Sequence, residues 1–362
     1  MRLLFLRIMQ KKNNKESCSN GFSPADGIVL YAKQPGMTSF SSLWAIKHAL
    51  NTTKIGHTGT LDNFADGLLV VCAGRLTRLA GAITAFNKDY EAVIAFGDET
   101  DTLDPSGTVV KTTPLPVIDA LKKSIEKFSG TIMQSPPAFS ALHINGKRAS
   151  DLARAGKAAE LPARPVTVFK TELKDVVFDD ERLKTVKYAH VAFSVSKGTY
   201  IRCLARDIAF DCGSAAHLIA LRRTKVGDFD LRDASGFSLL DEFSIANALK
   251  KAENANISDK AEKTHLNDEK LLYGEIRNKI QRMSINLANQ CGFFPLTIKP
   301  EYEKCFFSGQ PLKPLWFSES VFSAEEGQKI AVFSQKEDFC GMIHVANKRI
   351  IYDYVISFGK ES

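Results

Sequence analysis

Between Ala189 and Val195 the apolar positions fall on every second residue, with Val191 and Phe193 between them. A period of two predicts a strand with one buried face. After "SKGT" the period lengthens: Ile201, Leu204, Ala205 and Ile208 repeat at helical spacing until Gly213 stops the helix. Arg202 and Arg206 share another face of that helix, and Ser214 reads as the cap of a further short helix leading into "LRRTKVG". Near the start, Ile28 to Ala32 reads as a strand ended by the Pro35-Gly36 turn, and Thr38 or Ser39 caps a helix running to about Leu50. Phe40, Leu43, Trp44 and Leu50 fall on one face of this helix and are expected in the core. The run "ADGLLVVCAG" predicts a buried segment, and "KDYEAVIAFG" a strand followed by the turn-rich "DETDTLDPSG". From Phe293 onward, short apolar runs alternate with Gly and polar turns, which predicts a small β-rich unit.

These elements divide the chain into a basic, disordered tail (1–24), a main domain (25–240), a charged linker or helical insertion (241–292) and the β-rich unit (293–362). Strands separated by helices without regular βαβ alternation predict an α+β fold on a mixed, largely antiparallel sheet.

Composition narrows the class without naming a function. The 362 residues are 44% hydrophobic and 25% charged, an ordinary balance for a globular protein, and the net charge of +7 admits a polyanionic partner. Seven cysteines are scattered with no CxxC, so neither a zinc site nor a disulfide framework is expected. The apolar run between Arg2 and Arg7 is too short for a signal segment, and no run reaches membrane-spanning length. The expectation is a cytoplasmic protein with reduced thiols. The acidic turn holding Asp98, Glu99, Asp101 and Asp104 lacks EF-hand spacing, since Leu103, Pro105 and Ser106 occupy positions that need acceptors or glycine. It reads as a solvated turn.

The chemistry gathers around "GHTGTLDNFADGLL" (56–69), which has no phosphate-loop pattern. Its GxxG formally matches an RNA-binding KH loop, a weak match in a chain with 23 glycines. Taken alone, Asp62 reads as a cap or turn former. Arg202, however, lies in the first turn of its helix, where the macrodipole disfavours a cation and an anionic partner is expected. If Asp62 is that partner, the pairing favours an ionised carboxylate suited to nucleophilic work. Tyr90 and Tyr200 offer flat faces for an unstacked base.

Together, "KQPGMTS", "GHTGTLDNFADGLL", "KDYEA", "SPPAFSALHINGKRASDLARAG", "ARPVTV" and "SKGTYIRCLARDI" occur in one order and at one spacing. Over roughly residues 26–235 the sequence resembles the TruB family of tRNA pseudouridine synthases, which convert uridine 55 of the T loop. The C-terminal unit is faintly similar to that family's PUA-like RNA-binding domain. The resemblance implies that Asp62 is the catalytic aspartate, with Arg202 its salt-bridge partner. It makes Tyr90 the residue stacked on the target base, Tyr200 a pocket neighbour and His57 the residue filling the space left by the flipped nucleotide. It also places Lys33 and Leu221 near the pocket. Two departures stand out, Asn63 in place of the usual proline and Asp66 in place of the usual threonine. Asn63 is expected to loosen the loop's exit. Asp66, a second carboxylate, is expected to face solvent.

The reaction so implied is an isomerisation of uridine with no net redox change. It needs a flipped base and one positioned carboxylate, and no metal or cofactor. The implied partner is the tRNA T stem-loop, with no membrane, and the protein is expected to act as a monomer. A non-catalytic tRNA- or rRNA-binding protein using the same surface is the rival.

Overall fold

Strand β1 (Gly27–Lys33) pairs antiparallel with β3 (Asp66–Ala73), and together they form one end of a nine-stranded sheet. The computed structural model describes residues 23, 25–140, 142–144, 146–155, 161–255 and 266–356; apart from Ser23, the tail expected over 1–24 lies outside them. In chain order the main domain adds α1 (Ser39–Leu50), β2 (Ile55–His57), β4 (Lys88–Phe96), β5 (Asp98–Thr100), β6 (Val109–Thr112), α2 (Ile118–Lys127) and β7 (Gly130–Gln134). It continues through β8 (Arg164–Asp180), β9 (Thr185–Val195), α3 (Ile201–Asp211) and β10 (Ala216–Val226). The sheet runs β1-β3-β10-β4-β9-β8-β7, with β2 beside β3 and the short strand Phe229–Asp230 beside β10. Among the described residues of this sheet only β3 and β10 pair in parallel, Arg222 opposite Asp66 and Arg223 opposite Gly67. This is a mixed α+β fold on a largely antiparallel sheet.

Alternation along β1 and β3 serves two cores. Ile28, Leu30, Leu68 and Val70 face one side of the sheet, while Val29, Tyr31, Leu69 and Val71 face the other. On the second side α1 docks through Leu43, Ile46 and Ala49, joined by Ile276 of α5 (Leu266–Lys279). A separate core under α3 gathers Ile94, Val191, Phe193, Leu204 and Ile208.

Three expectations change here. Thr38 caps α1 as expected, accepting from Ser41 N at 2.8 Å, but Phe40 and Trp44 are 72% and 53% exposed. The inward face of α1 carries Ser39 and Ser42 instead, because Ser39 Oγ bonds both N and O of Leu61 and draws that face towards the loop behind β2. The helix expected after Ser214 is the long strand β10, whose backbone pairs with β4 along its whole length. The segment read as a charged linker or helical insertion is helical, α4 (Ile245–Ala255) and α5, but it packs onto the main sheet, where Gln281 exchanges two backbone hydrogen bonds with Ile28. Its surface charge concealed a docking face built on Ile276, with Leu272, Tyr273 and Ile280 packed beside it.

The C-terminal unit is a separate sheet, β11 (Phe294–Thr297), β12 (Lys329–Phe333), β13 (Phe339–Ala346) and β14 (Arg349–Val355), in that spatial order, with α6 (Pro300–Phe307) packed by Phe306. Phe333, Phe339 and Met342 join the core beneath β1 and β3.

Candidate active site

The loop between β2 and β3 carries Asp62 into an open cleft of about 640 Å³. Gly67, at the loop's end, has φ +108°, and a Cβ there would overlap the backbone of Arg223. A side chain would prise β3 from β10, which explains the glycine. Arg223 Nε donates to Leu68 O at 2.8 Å and its Nη2 to Gly59 O at 3.2 Å, so this buried arginine holds the loop's entry.

Arg202 meets Asp62 as its position predicted. Nη2 donates to Asp62 Oδ1 at 3.1 Å, and Nε lies 3.0 Å from Oδ2 without the alignment of a hydrogen bond. The guanidinium is fixed from the other side. Nη1 donates to Thr102 O at 2.8 Å and lies 3.4 Å from Asp104 Oδ2, while Nη2 also donates to Phe139 O at 3.0 Å. Arg202 is buried and immobilised, whereas 36% of the Asp62 side chain remains open to the cleft. This is the disposition of a reacting group backed by its orienting partner.

Asp104 is a correction to the solvated reading of the acidic turn. It is buried, with Oδ1 accepting from Thr102 Oγ1, Ser106 N and Ser106 Oγ. Its signal in the sequence was the Asp-Pro-Ser-Gly turn, but only the fold brings that turn to α3. The proton affinity of Asp62 also runs against the effect expected from its arginine alone. Burial pushes its proton affinity above the ordinary aspartate value, Arg202 opposes this, Asp104 adds to it, and Lys33 offsets it. The upward direction makes this a more basic carboxylate than an exposed aspartate.

Tyr90, opposite Arg223 and Phe193 on neighbouring strands, lines the same cleft as Asp62. Tyr200 caps α3 and is fixed through its backbone by both ends of the Gln134 amide; its ring carries the Arg164 guanidinium 5.6 Å from the centroid. Leu221 is buried in the cleft wall. Lys88, Arg164, Lys197 and Arg223 also line this cavity; Lys88 and Arg223 are buried on backbone carbonyls, while Arg164 and Lys197 are open to phosphates. None of these four was singled out from the sequence, where isolated basic residues carry no signal.

His57 lines a second cavity of about 870 Å³ on the other side of the loop, which shares Leu61, Asp62, Phe139 and Arg202 with the first. Burial, and then Arg223, lower its proton affinity, leaving a neutral imidazole at neutral pH. Its Nδ1 accepts from Gly59 N at 3.4 Å.

Lys33 and Asp66 stand elsewhere than expected. Lys33 is fully buried beneath the loop, so it is no base contact; its Nζ donates to Ala65 O at 2.6 Å, Gln34 O at 3.1 Å and Asn63 O at 3.4 Å. Asp66, expected in solvent, is 5% exposed and takes two hydrogen bonds from Arg222. Asn63 O also accepts from Gly36 N at 2.7 Å, so the loop is pinned where a loose exit was expected. Among the described residues, no three His, Cys, Asp or Glu side chains gather as metal ligands would, and no helix is long and apolar enough to cross a membrane.

Comparison with known proteins places this geometry in a lineage. The description "TruB family pseudouridylate synthase (N terminal domain)" matches residues 47–201. The chain is 45% identical over 309 residues to the tRNA pseudouridine synthase B of Treponema denticola, covering 80% of this chain and 85% of that one. It is 34% identical over 360 residues to the protein of the same name from Treponema pallidum, covering 92% and 98% respectively. A solved chain from a Cbf5-Nop10-Gar1 complex shares the fold with a TM-score of 0.60 at 20% identity, over 95% of this chain and 92% of that one.

Proposed function

The chain belongs to the TruB family of pseudouridine synthases, and from that premise we propose that it isomerises uridine 55 in the T loop of tRNA, with Asp62 as the essential carboxylate. The observation that carries this reading is the Asp62–Arg202 pair at the cleft floor, its arginine buried and its carboxylate open. The Treponema relatives are named as tRNA enzymes, which supports tRNA as the substrate.

The target uridine first leaves its stack, at a cost of a few kcal/mol. Stacking on Tyr90 offsets part of that cost, and Tyr200 and Leu221 line the pocket. His57, uncharged, fills the space the base vacates. Arg164 and Lys197, open at the cleft, take the RNA backbone.

In the reaction the N1–C1′ bond breaks, the uracil turns, C5 bonds to C1′ and loses its proton, and N1 takes up a proton. Asp62 is the group at hand for covalent or electrostatic help at the sugar or base, and its raised basicity favours the nucleophilic role. Arg202 keeps the carboxylate aimed while the charge on its oxygens changes. Should the sugar pass through a glycal, the Tyr90 hydroxyl would be the base that takes the C2′ proton.

The test is incubation with unmodified T stem-loop RNA followed by chemical mapping of pseudouridine. Pseudouridine at position 55 alone supports the reading. Tight binding without product would favour the non-catalytic RNA-binding alternative, and modification elsewhere would move the site.

A further inference from the structure

Asp66 and Arg222 form a buried ion pair directly behind the loop that carries Asp62. Arg222 Nε donates to Asp66 Oδ1 at 2.6 Å and Nη2 to Oδ2 at 2.8 Å, a two-pronged fit across the parallel step between β3 and β10. The third nitrogen, Nη1, donates to Asp241 O at 2.9 Å, and the guanidinium lies 5.2 Å from the centre of the Phe243 ring. Every prong of the arginine is therefore committed, and Asp66 can neither turn nor slide.

Asp66 begins β3, and the residue before it closes a turn on Asp62, with Ala65 N donating to Asp62 O at 3.2 Å. Lys33 grips the same turn from beneath through Ala65 O, and Arg223 grips its entry at Gly59 O. Three buried cations thus hold the two ends and the underside of one short loop. A buried ion pair is a poor device for stability alone, because apolar replacements of similar size are often as stable. It is a good device for orientation, since a planar fork on a carboxylate fixes both distance and angle. Asn63 leaves the torsion after Asp62 unrestrained by a ring; Gly36 N holds its carbonyl, and Asp66 fixes the side-chain anchor three residues further along.

We propose that Asp66 is a positioning residue: held by Arg222, it anchors the exit of the loop so that Asp62 faces Arg202 at reacting geometry. This rests on the reading of Asp62 as the catalytic carboxylate. Asp66 touches no substrate and works through the Asp62–Ala65 turn.

The test compares Asp66→Asn, Arg222→Met and the double variant with the wild type and with Asp62→Asn, on unmodified T stem-loop RNA. Assays run well below the Tm of each variant. Each single variant leaves one buried partner unpaired and should lose both Tm and kcat. The double variant buries no lone charge, so its Tm should recover. Its kcat should stay ten- to a hundred-fold below wild type with KM within about two-fold, since small misplacements of a reacting group cost that much. A double variant whose kcat returns with its Tm would reduce the pair to a structural role and overturn the proposal, as would wild-type kcat in Asp66→Asn. An active Asp62→Asn enzyme would instead overturn the reading beneath it.

Discussion

Asp104→Asn separates the two effects that Asp104 has on the site. Its carboxylate draws Arg202 from one side while Asp62 draws it from the other, at 3.4 Å and 3.0–3.1 Å respectively. The substitution keeps the shape, and the amide oxygen can still accept from Thr102 and Ser106. What disappears is one charge beside a buried guanidinium. The gross Coulomb energy at 3.4 Å is about 5 kcal/mol at an effective dielectric constant of about 20. Arg202 keeps its bonds to Thr102 O and Phe139 O, and hydrogen bonds to charged groups are worth about 1.5–3 kcal/mol net. The long 3.4 Å contact belongs near the lower end, or roughly a ten-fold loss in the kcat plateau if all of it serves positioning. The pH dependence moves differently. Asp104 is among the groups raising the proton affinity of Asp62, so its neutralisation should shift the acid limb of kcat to lower pH. The assay is kcat on saturating T stem-loop RNA from pH 4.5 to 8. A lower plateau with an acid limb displaced downward is expected. An unchanged plateau would show that Asp104 does not position Arg202, and a limb displaced upward would refute the electrostatic reasoning.

Lys33 gives a prediction in stability. Burial lowers its pKa from 10.5 to about 8 against the pull of Asp66 and Asp62, so between these values the unfolded chain binds more protons than the folded one. The cost of burying the charge, about 3 kcal/mol, is therefore fully present below pH 8 and relieved as the pH rises towards 10.5. Denaturant titrations should show wild type gaining on Lys33→Met by up to that amount across the window, and a flat difference would contradict the buried cation. Tyr90→Phe should keep much of the activity and Tyr90→Leu lose most of it, because base stacking is worth roughly 1–3 kcal/mol. Measured in single-turnover kinetics, equal and near-total loss in both would assign the hydroxyl to proton transfer, and full activity in the Leu variant would remove Tyr90 from the site.

What the sequence revealed and what it hid follow from the range of each interaction. The alternation in β1 and β9, the capping threonine of α1 and the cation at the start of α3 are local features, legible within a few residues. Arg202 in particular asked for an anion, and the fold supplies Asp62 and Asp104, both about a hundred residues or more away in sequence. Asp104 was hidden because a buried acidic turn and a solvated one have the same composition. Asp66 misled for a related reason: a carboxylate in sequence shows its charge but not the arginine on the adjoining strand. Phe40 and Trp44 were placed inside by their apolarity, yet α1 turns Ser39 inward to hold Leu61. Lys33 fell beneath the pocket because the backbone carbonyls of Gln34, Asn63 and Ala65 hold its ammonium as a solvent shell would.

The central claim is that Asp62 performs the chemistry in a cleft that binds RNA without it. The most direct measurement is single-turnover conversion of unmodified T stem-loop RNA by Asp62→Asn, with its RNA affinity measured in parallel. The account predicts no detectable pseudouridine and an affinity within a few-fold of wild type. Conversion at the wild-type rate would contradict it.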